Sequence, residues 1–296
     1  MKLLAYIVAY PLLWLISVLP FPLLYLLSDI VFVLVYYVIG YRRKTVRQNL
    51  SLTLRHLNDA ERKVVERKFY RHFCDNFLEM VKTMSISEKE IKKRFVFENL
   101  DLVHELEGMG KSVAVLCGHY ASYEWLLYMN TVLTSHKGYG IYKTINNPYF
   151  DRLVRRIRLK FKAELVDMKE AVSLIRKNQK NHIPGFYGFL TDQSTKIWRV
   201  PYWGSFFGME VPMHVGAELL AKKMDMNVLF VITRKVKRGH YSARFIPFDR
   251  DPREVPNYEI VDTFMKILEN QILKEPEYYL WTHKRFKHRR NDPPTA

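Results

Sequence analysis

The stretch SVAVLCGHYASYEW, residues 112–125, contains a strand, a polar turn and the start of a helix. Its first five residues, SVAVL, form a short apolar run rich in β-branched side chains, which is typical of a strand buried in a sheet. A helical segment is predicted from about Ser122 to Thr131. In open α/β sheets, ligands bind at the carboxyl ends of the strands. We therefore expect the chemistry of this protein in the turn around Gly118 and His119.

Strands and helices alternate along the chain on both sides of this stretch. NVLFVIT (227–233) is the clearest strand, and residues 241–246 are predicted to pair with it in antiparallel fashion. GFYGFL (185–190) is a further strand candidate. Helices are predicted over residues 58–84, 147–161, 169–178, 213–224 and 258–274. This alternation predicts an α/β fold with a mixed central sheet flanked by helices, and no internal repeat or Gly/Ser linker divides it.

The first 41 residues are strongly apolar. Residues 3–28 carry no charge, and after Asp29 the stretch 30–41 is uncharged again. This is longer than a signal peptide, so we expect it to be retained as a membrane anchor. Pro20 and Pro22 predict a break or kink. The anchor is then one kinked span or a re-entrant helical hairpin, whereas a buried core hairpin is disfavoured because polar residues do not recur at helical spacing.

The net charge lies outside this anchor. The chain has 47 Lys and Arg residues against 30 Asp and Glu residues, which gives a formal charge of +17. Lys2 and Asp29 cancel within residues 1–41. Basic residues from Arg42 to Arg47 directly follow the apolar stretch, and the positive-inside rule then places residues 42–296 in the cytoplasm. A surplus this large favours a polyanionic partner, namely nucleic acid, anionic lipid headgroups or an acidic carrier protein.

Composition and motifs reduce the number of possible partners and protein classes. No zinc-finger, helix-turn-helix or RNP-like signature supports nucleic-acid binding, and the apolar amino terminus argues against it. With 48% hydrophobic and 26% charged residues the chain is globular and not disordered. Only Cys74 and Cys117 are present, which excludes a disulfide scaffold. We expect neither a metal nor a cofactor.

His119 and Glu124 form an H-x4-E pair. His119 lies in the turn that follows the strand at 112–116, and Glu124 lies in the helical segment after that turn. A histidine can take a proton from a hydroxyl, and a carboxylate on its other ring nitrogen fixes the tautomer and stabilises the imidazolium. The spacing alone is uninformative, since 10 histidines and 30 acidic residues in 296 positions give about one such pair by chance. His56 and Glu61 also have it, but at a predicted helix start, where capping is favoured.

The order of motifs resembles the bacterial lipid A late acyltransferases, the lauroyl and myristoyl transferases of the H-x4-(D/E) acyltransferase superfamily. The resemblance covers nearly the whole chain. It rests on Tyr41-Arg42-Arg43, Asn49-Leu50, Gly118-His119 with Glu124, Tyr142-Lys143, Asn147-Pro148 with the basic helix after it, Asp192-Gln193, Phe206-Phe207-Gly208 and WTHKRFK at 281–287. Residues 209–212 depart from the small-residue pattern of the family. We therefore expect the acyl-chain pocket or the acceptor contacts of this protein to differ from those of the family.

The resemblance implies an inner-membrane enzyme with an anchor at 1–41 and an acyltransferase domain at 42–296. It would move a fatty acyl chain from acyl carrier protein to a hydroxyl of an anionic glycolipid, a lipid A precursor, on the cytoplasmic face. His119 would be the general base and Glu124 its orienting partner, with no covalent intermediate. Cys117 is the alternative nucleophile, which we disfavour because a cysteine that ends an apolar strand is usually just buried.

A further set of polar residues is predicted to bind substrate: Lys143, Asn147, Arg152, Arg155, Arg156, Asp192 and Gln193. Guanidinium groups suit phosphate, although a solvated basic helix face is an equally open interpretation. Asp192 and Gln193 would hold the acceptor or orient the loop, or else cap a strand end. The sequence leaves open coenzyme A as donor, another glycolipid, phospholipid or aminolipid as acceptor, and a membrane-anchored interaction protein without activity.

Overall fold

The computed structural model describes residues 2–195 and 200–290. Its strands are β1 (Phe95–Phe97), β2 (Val113–Cys117), β3 (Lys137–Tyr142), β4 (Glu164–Asp167), β5 (Gly185–Leu190), β6 (Trp203–Phe206), β7 (Met209–Pro212), β8 (Asn227–Lys237) and β9 (His240–Pro247). Seven of them form one sheet in the order β1-β9-β8-β2-β5-β3-β4, while β6 and β7 form a separate hairpin. The β8–β9 pair is antiparallel and the other neighbours in the large sheet are parallel. The predicted mixed sheet is confirmed.

The helices are α1 (Lys2–Val18), α2 (Phe21–Val33), α3 (Arg43–Thr53), α4 (Asp59–Lys82), α5 (Glu88–Arg94), α6 (Leu100–Gly108), α7 (Pro148–Arg158), α8 (Ala171–Lys180), α9 (Gly216–Lys223) and α10 (Glu259–Lys274). A π-helical segment, Leu34–Ile39, continues α2. The predicted break at Pro20 is present between α1 and α2. The division at residue 41 stays a prediction, and the last six residues of the predicted acyltransferase domain lie outside the described residues.

Strand β2 is at the centre of the sheet, and all five of its residues are buried. It pairs with β5 on one side and β8 on the other, so that Cys117 lies opposite Leu190 and Val231. Parallel strands that run in register end at the same edge of a sheet. The turns that follow β2 and β5 therefore face each other, and His119 and Asp192 each lie two positions beyond this register pair.

Local chemistry accounts for several boundaries. Asn58 caps α4 through a capping box with Glu61, which is the role expected for that acidic residue. The segment predicted as a helix at 122–131 is a 3-10 helix over Tyr123–Thr131. The motif Phe207-Gly208 is the turn of the β6–β7 hairpin, with φ of 54° and 71° at its two residues. Positive φ at both central positions is what a two-residue hairpin turn requires.

Candidate active site

His119 lies in the turn after β2 and contacts residues of the turn after β5. Its Nδ1 is 2.7 Å from Oδ1 of Asp192, and its Nε2 is 3.1 Å from the side-chain nitrogen of Gln193. A carboxylate can only accept, so Nδ1 carries the proton and Nε2 presents its lone pair to the Gln193 amide. This is the tautomer that a general base needs, with Nε2 as its basic atom.

Asp192 is buried and charged. Burial by itself would raise the pKa of this carboxyl, but the charge and hydrogen bond of His119 bring the pKa below its usual value. The opposite oxygen, Oδ2, is buried and has no hydrogen-bond partner within residues 2–195 and 200–290. A carboxylate held in this way stabilises the imidazolium that forms when Nε2 takes up a proton.

Three residues of the carboxyl-terminal segment interact with Asp192 electrostatically. Burial and the Asp192 charge raise the pKa of Tyr279 well above its usual value. Burial lowers the pKa of His283 to about 4, so this ring is neutral near pH 7. Arg285 is almost fully buried and donates from Nη1 to the carbonyl of Pro212 at 2.9 Å. Arg285 therefore supplies a buried positive charge that favours the ionised form of Asp192.

Glu124 has a different partner. Its two oxygens accept from Arg158 of α7, at 2.6 Å from Nη2 and 2.9 Å from Nε. This is a bidentate, partly buried pair, with the two side chains 17% and 21% exposed. The predicted hydrogen bond between His119 and Glu124 is therefore wrong in this structure, because Asp192 occupies Nδ1 and Arg158 engages Glu124. The catalytic roles of His119 and Glu124 themselves stay predictions.

The turn that carries His119 is fixed by hydrogen bonds from both sides. Ala121 has a φ of 48°, unusual for a residue with a side chain. Its N–H donates to the carbonyl of Tyr278 at 2.9 Å, and its carbonyl accepts from Asn76 of α4 at 2.6 Å. The carbonyl of His119 accepts from the N–H of Leu280 at 3.1 Å. These bonds hold the imidazole in place before any substrate binds.

The predicted arginines of α7 line one cavity of about 620 Å³, which we call the basic groove. Its lining residues are Thr144, Ile145, Asn146, Pro148, Asp151, Arg152, Arg155, Arg156, Leu159 and Lys160. Arg155 donates to the hydroxyl of Tyr142 at 2.8 Å. Arg152 and Arg156 are exposed in the groove. Four cations and one carboxylate line this space, so it is suited to an anionic group.

Four predicted substrate-binding residues remain, and only two of them lie next to His119. Asp192 and Gln193 are brought together with His119, although they were predicted as substrate-binding residues. Asn147 caps α7, since its side-chain oxygen accepts from the N–H of Tyr149 at 3.1 Å. Lys143 is exposed at the end of β3. Binding of substrate by any member of the set stays a prediction.

Cys117 is buried at the end of β2, and its thiol contacts the carbonyl of Phe189 at 3.5 Å. Burial and the nearby Asp192 charge raise the pKa of this thiol to about 12. The nucleophilic form of cysteine is the thiolate, so the group is inert near neutral pH. Within the described ranges, no group of three His, Cys, Asp or Glu residues is arranged to hold a metal ion.

Arg158 and Arg285 take part in the site without having been predicted as site residues. The signal for Arg158 was its position in the basic helix after Asn147-Pro148, one residue beyond Ile157, which is buried. The signal for Arg285 was its place in the terminal motif WTHKRFK. Neither signal pointed to Glu124 or Asp192, because these residues lie 34 and 93 positions away in the sequence.

Comparison with known proteins identifies the chain as an acyltransferase. The model of the family described as "Bacterial lipid A biosynthesis acyltransferase" matches residues 2–288, and the chain belongs to this family. The resemblance drawn from the motifs is thereby confirmed. Family membership supports acyl transfer in lipid A biosynthesis, with a lipid as the acceptor.

Individual relatives are distant but match over most of their length. The chain is 22% identical over 295 residues to the lipid A biosynthesis lauroyltransferase of Escherichia coli (strain K12), covering 96% of this chain and 91% of the relative. It is 25% identical over 263 residues to a lipid A biosynthesis acyltransferase of Haemophilus influenzae, covering 85% and 79%. A lipid A biosynthesis palmitoleoyltransferase of Escherichia coli is 22% identical over 259 residues, covering 84% and 79%.

Proposed function

We propose that this protein transfers a fatty acyl chain from acyl carrier protein to a hydroxyl of a lipid A precursor, at the cytoplasmic face of the inner membrane, with His119 as the general base. The observation that carries the proposal is the hydrogen bond of 2.7 Å between Nδ1 of His119 and Asp192. It leaves Nε2 as the basic atom, in a turn that is held rigid at the carboxyl edge of the sheet.

The reaction follows from this arrangement. The acceptor hydroxyl displaces the Gln193 amide from Nε2 and donates its proton there, while its oxygen attacks the thioester carbonyl. When the tetrahedral intermediate collapses, the carbon–sulfur bond breaks and the imidazolium returns the proton to the leaving thiolate. Asp192 keeps the tautomer and offsets the charge of the imidazolium throughout. No acyl-enzyme forms, which agrees with the buried, protonated thiol of Cys117.

Glu124 serves this mechanism through Arg158. The pair ties the 3-10 helix after the His119 turn to α7, which carries the basic groove. We infer that it sets the distance between the base and the anionic group of the acceptor, which the guanidinium groups of Arg152, Arg155 and Arg156 bind. Planar guanidinium forks suit phosphate oxygens. A phosphorylated glycolipid would then place its hydroxyl at Nε2.

The positive net charge of the chain supports acyl carrier protein as the acyl donor. Acyl carrier protein is acidic, and the net charge of +17 on this chain favours its approach at low ionic strength. Coenzyme A is also anionic, so the two donors are separated by experiment. Purified enzyme should use an acyl chain on the carrier protein at a kcat/KM well above that for the same chain on coenzyme A, and the reverse ratio would contradict this part of the proposal.

The function is tested by mass spectrometry of total lipids from cells that lack the gene and carry either wild type or a variant. Wild type should restore one acyl chain on lipid A, and His119→Gln should not, with a loss in rate of about 10²- to 10⁴-fold for the purified enzyme. His56→Gln is the matched control, because His56 has the same spacing to an acidic residue but lies in an exposed turn before α4. Equal activity of wild type and His119→Gln would refute the proposed base.

A further inference from the structure

Helix α2 is bound along its length to α4, a helix rich in charge, and the end of α1 contacts the same helix. The contacts pair rising residue numbers in α1 and α2 with falling numbers in α4, so α2 and α4 run antiparallel. They are Lys82 with the carbonyls of Ser17 (2.7 Å) and Leu19 (2.8 Å), Tyr25 with Glu79 (2.9 Å), Ser28 with Asp75 (2.7 Å) and Phe32 with the guanidinium of Arg71 (5.2 Å).

The turn of the β8–β9 hairpin also reaches α2. Arg238 donates to both oxygens of Asp29, at 2.8 and 3.0 Å, and at 2.7 Å to Asp75 of α4. Arg238 thus joins the middle of the apolar segment to the sheet domain. The Asp29 side chain is half-exposed, so it lies at the boundary between the domain and its surroundings.

These contacts are incompatible with a helix that crosses a membrane. Phe21–Ile39 is long and apolar enough to do so, at 19 residues or about 28 Å. Asp29 lies near its midpoint, and a crossing would carry Arg238 and Asp75 with it to the bilayer centre. Charged side chains are strongly disfavoured at the centre of a bilayer. A crossing helix that avoided this cost would have to leave α4 and break the contacts of Tyr25, Ser28, Asp29 and Phe32.

The outward faces of the same helices are apolar. Exposed residues of this surface include Leu4, Leu12, Leu26, Ile30 and Val38. The other end of α1 packs on α7, where the ring of Tyr6 stacks on that of Tyr149 with centroids 5.8 Å apart. The apolar surface is therefore continuous from α2 to the helix that carries the basic groove, and arginines from Arg42 onward follow it.

We propose that α1, α2 and the π-helical segment form a monotopic hairpin that lies within the cytoplasmic leaflet of a phospholipid bilayer and does not reach the opposite leaflet. The occupant of the apolar surface is the hydrocarbon of that one leaflet, and the flanking basic residues contact its anionic headgroups. This inference rests on the proposed membrane association. It places the basic groove at headgroup level, where a lipid acceptor presents its phosphate.

The test measures depth in the bilayer. Single cysteines are placed at Leu4, Leu12, Leu26, Ile30 and Val38 of the full chain and labelled with a fluorescent maleimide. The wild-type chain, whose two cysteines are buried, is the labelling control. The proteins are reconstituted in phosphatidylethanolamine–phosphatidylglycerol vesicles, and quenching by lipids doxylated at two positions gives the depth of each label. Sedimentation with the vesicles is recorded for each sample.

A monotopic hairpin predicts five shallow labels, all about 5–10 Å below the headgroups. A crossing helix would instead put Ile30 at the bilayer centre, about 15 Å below the headgroups of either leaflet, and would put Val38, eight positions or about 12 Å further along, close to the headgroups. A depth profile of that kind with normal sedimentation would overturn the hairpin and leave the proposed function intact. Failure to sediment with vesicles would overturn the membrane association and the hairpin together.

The side on which the amino terminus lies gives an independent check. A protease-sensitive tag is added before Met1, and the tag should be cleaved in inside-out vesicles and protected in spheroplasts. Cleavage in spheroplasts would mean that one helix crosses the membrane, which contradicts the inference. A transmembrane hairpin would pass this check but fail the depth measurement, since the Ile30 label would lie at the bilayer centre.

Discussion

Two carboxylates approach the turn after β2, and each has a different partner. Glu124 lies five residues after His119 and binds Arg158, while Asp192 lies 73 residues away and binds His119. Asp192 is buried at the sheet edge, whereas Glu124 is partly exposed where the 3-10 helix meets α7. The acid nearest in sequence is therefore not the acid in contact, because the register of two parallel strands decides which groups meet.

The largest expected effect is that of Asp192→Asn. The amide cannot hold Nδ1–H as a carboxylate does, so the imidazole loses its tautomer and the support for its charge. We expect kcat to fall by about 10²- to 10⁴-fold with little change in KM. The measurement is steady-state kinetics over a range of pH, which gives kcat and KM separately.

Glu124→Gln should cost less than Asp192→Asn, because it acts on position and not on the base. It removes one half of the bidentate pair and leaves Arg158 without its partner. If the pair acts as a unit, adding Arg158→Gln should cause little further loss, with a coupling energy of about 0.5–3 kcal/mol in the double-mutant cycle. Additive losses, or a shift of the pH profile in Glu124→Gln alone, would instead make Glu124 a direct partner of His119.

The contrast between the two acids also shows what the sequence could predict. The buried strand at 113–117, the turn with His119 and the β8–β9 pair followed from composition and periodicity, and each is in the structure. Asp192 was recognised at a strand end. Its contact with His119 depends on β5 lying beside β2, and the order of strands in a sheet is a long-range property that local patterns do not encode.

Other elements escaped prediction for local reasons. Strand β1 has three residues and follows a charged helix, too short for any alternation to be seen. The β6–β7 hairpin was noticed only as a motif, because its turn places Phe207 at positive φ, where glycine or asparagine is the usual signal. The contacts between α2 and α4 are made by a few polar side chains within the apolar run of α2. Hydropathy alone predicts a membrane anchor from such a run and gives no sign of these contacts.

A smaller effect concerns stability at low pH. The pKa of Asp192 is lowered on folding from the reference value of 3.8, so its contribution to stability is complete above that value and is lost as the pH falls through the folded pKa. Wild type should therefore lose stability more steeply than Asp192→Asn below pH 3.8. Chemical denaturation at several pH values gives the slope of the free energy of unfolding against pH for wild type and Asp192→Asn. Glu124→Gln is measured in the same way as a comparison. Parallel slopes for wild type and Asp192→Asn would contradict the assigned shift.

The smallest expected effect is that of Cys117→Ala, which tests whether any nucleophile other than the acceptor hydroxyl takes part. The thiol is buried, and burial together with the nearby Asp192 charge raises its pKa to about 12. We expect kcat within about twofold of wild type and a loss of stability of about 1 kcal/mol from the missing sulfur atom. Intact-protein mass spectrometry during turnover supplies the second readout. An acyl adduct on wild type that is absent from Cys117→Ala, together with lost turnover, would move the chemistry from the His119–Asp192 pair to the thiol.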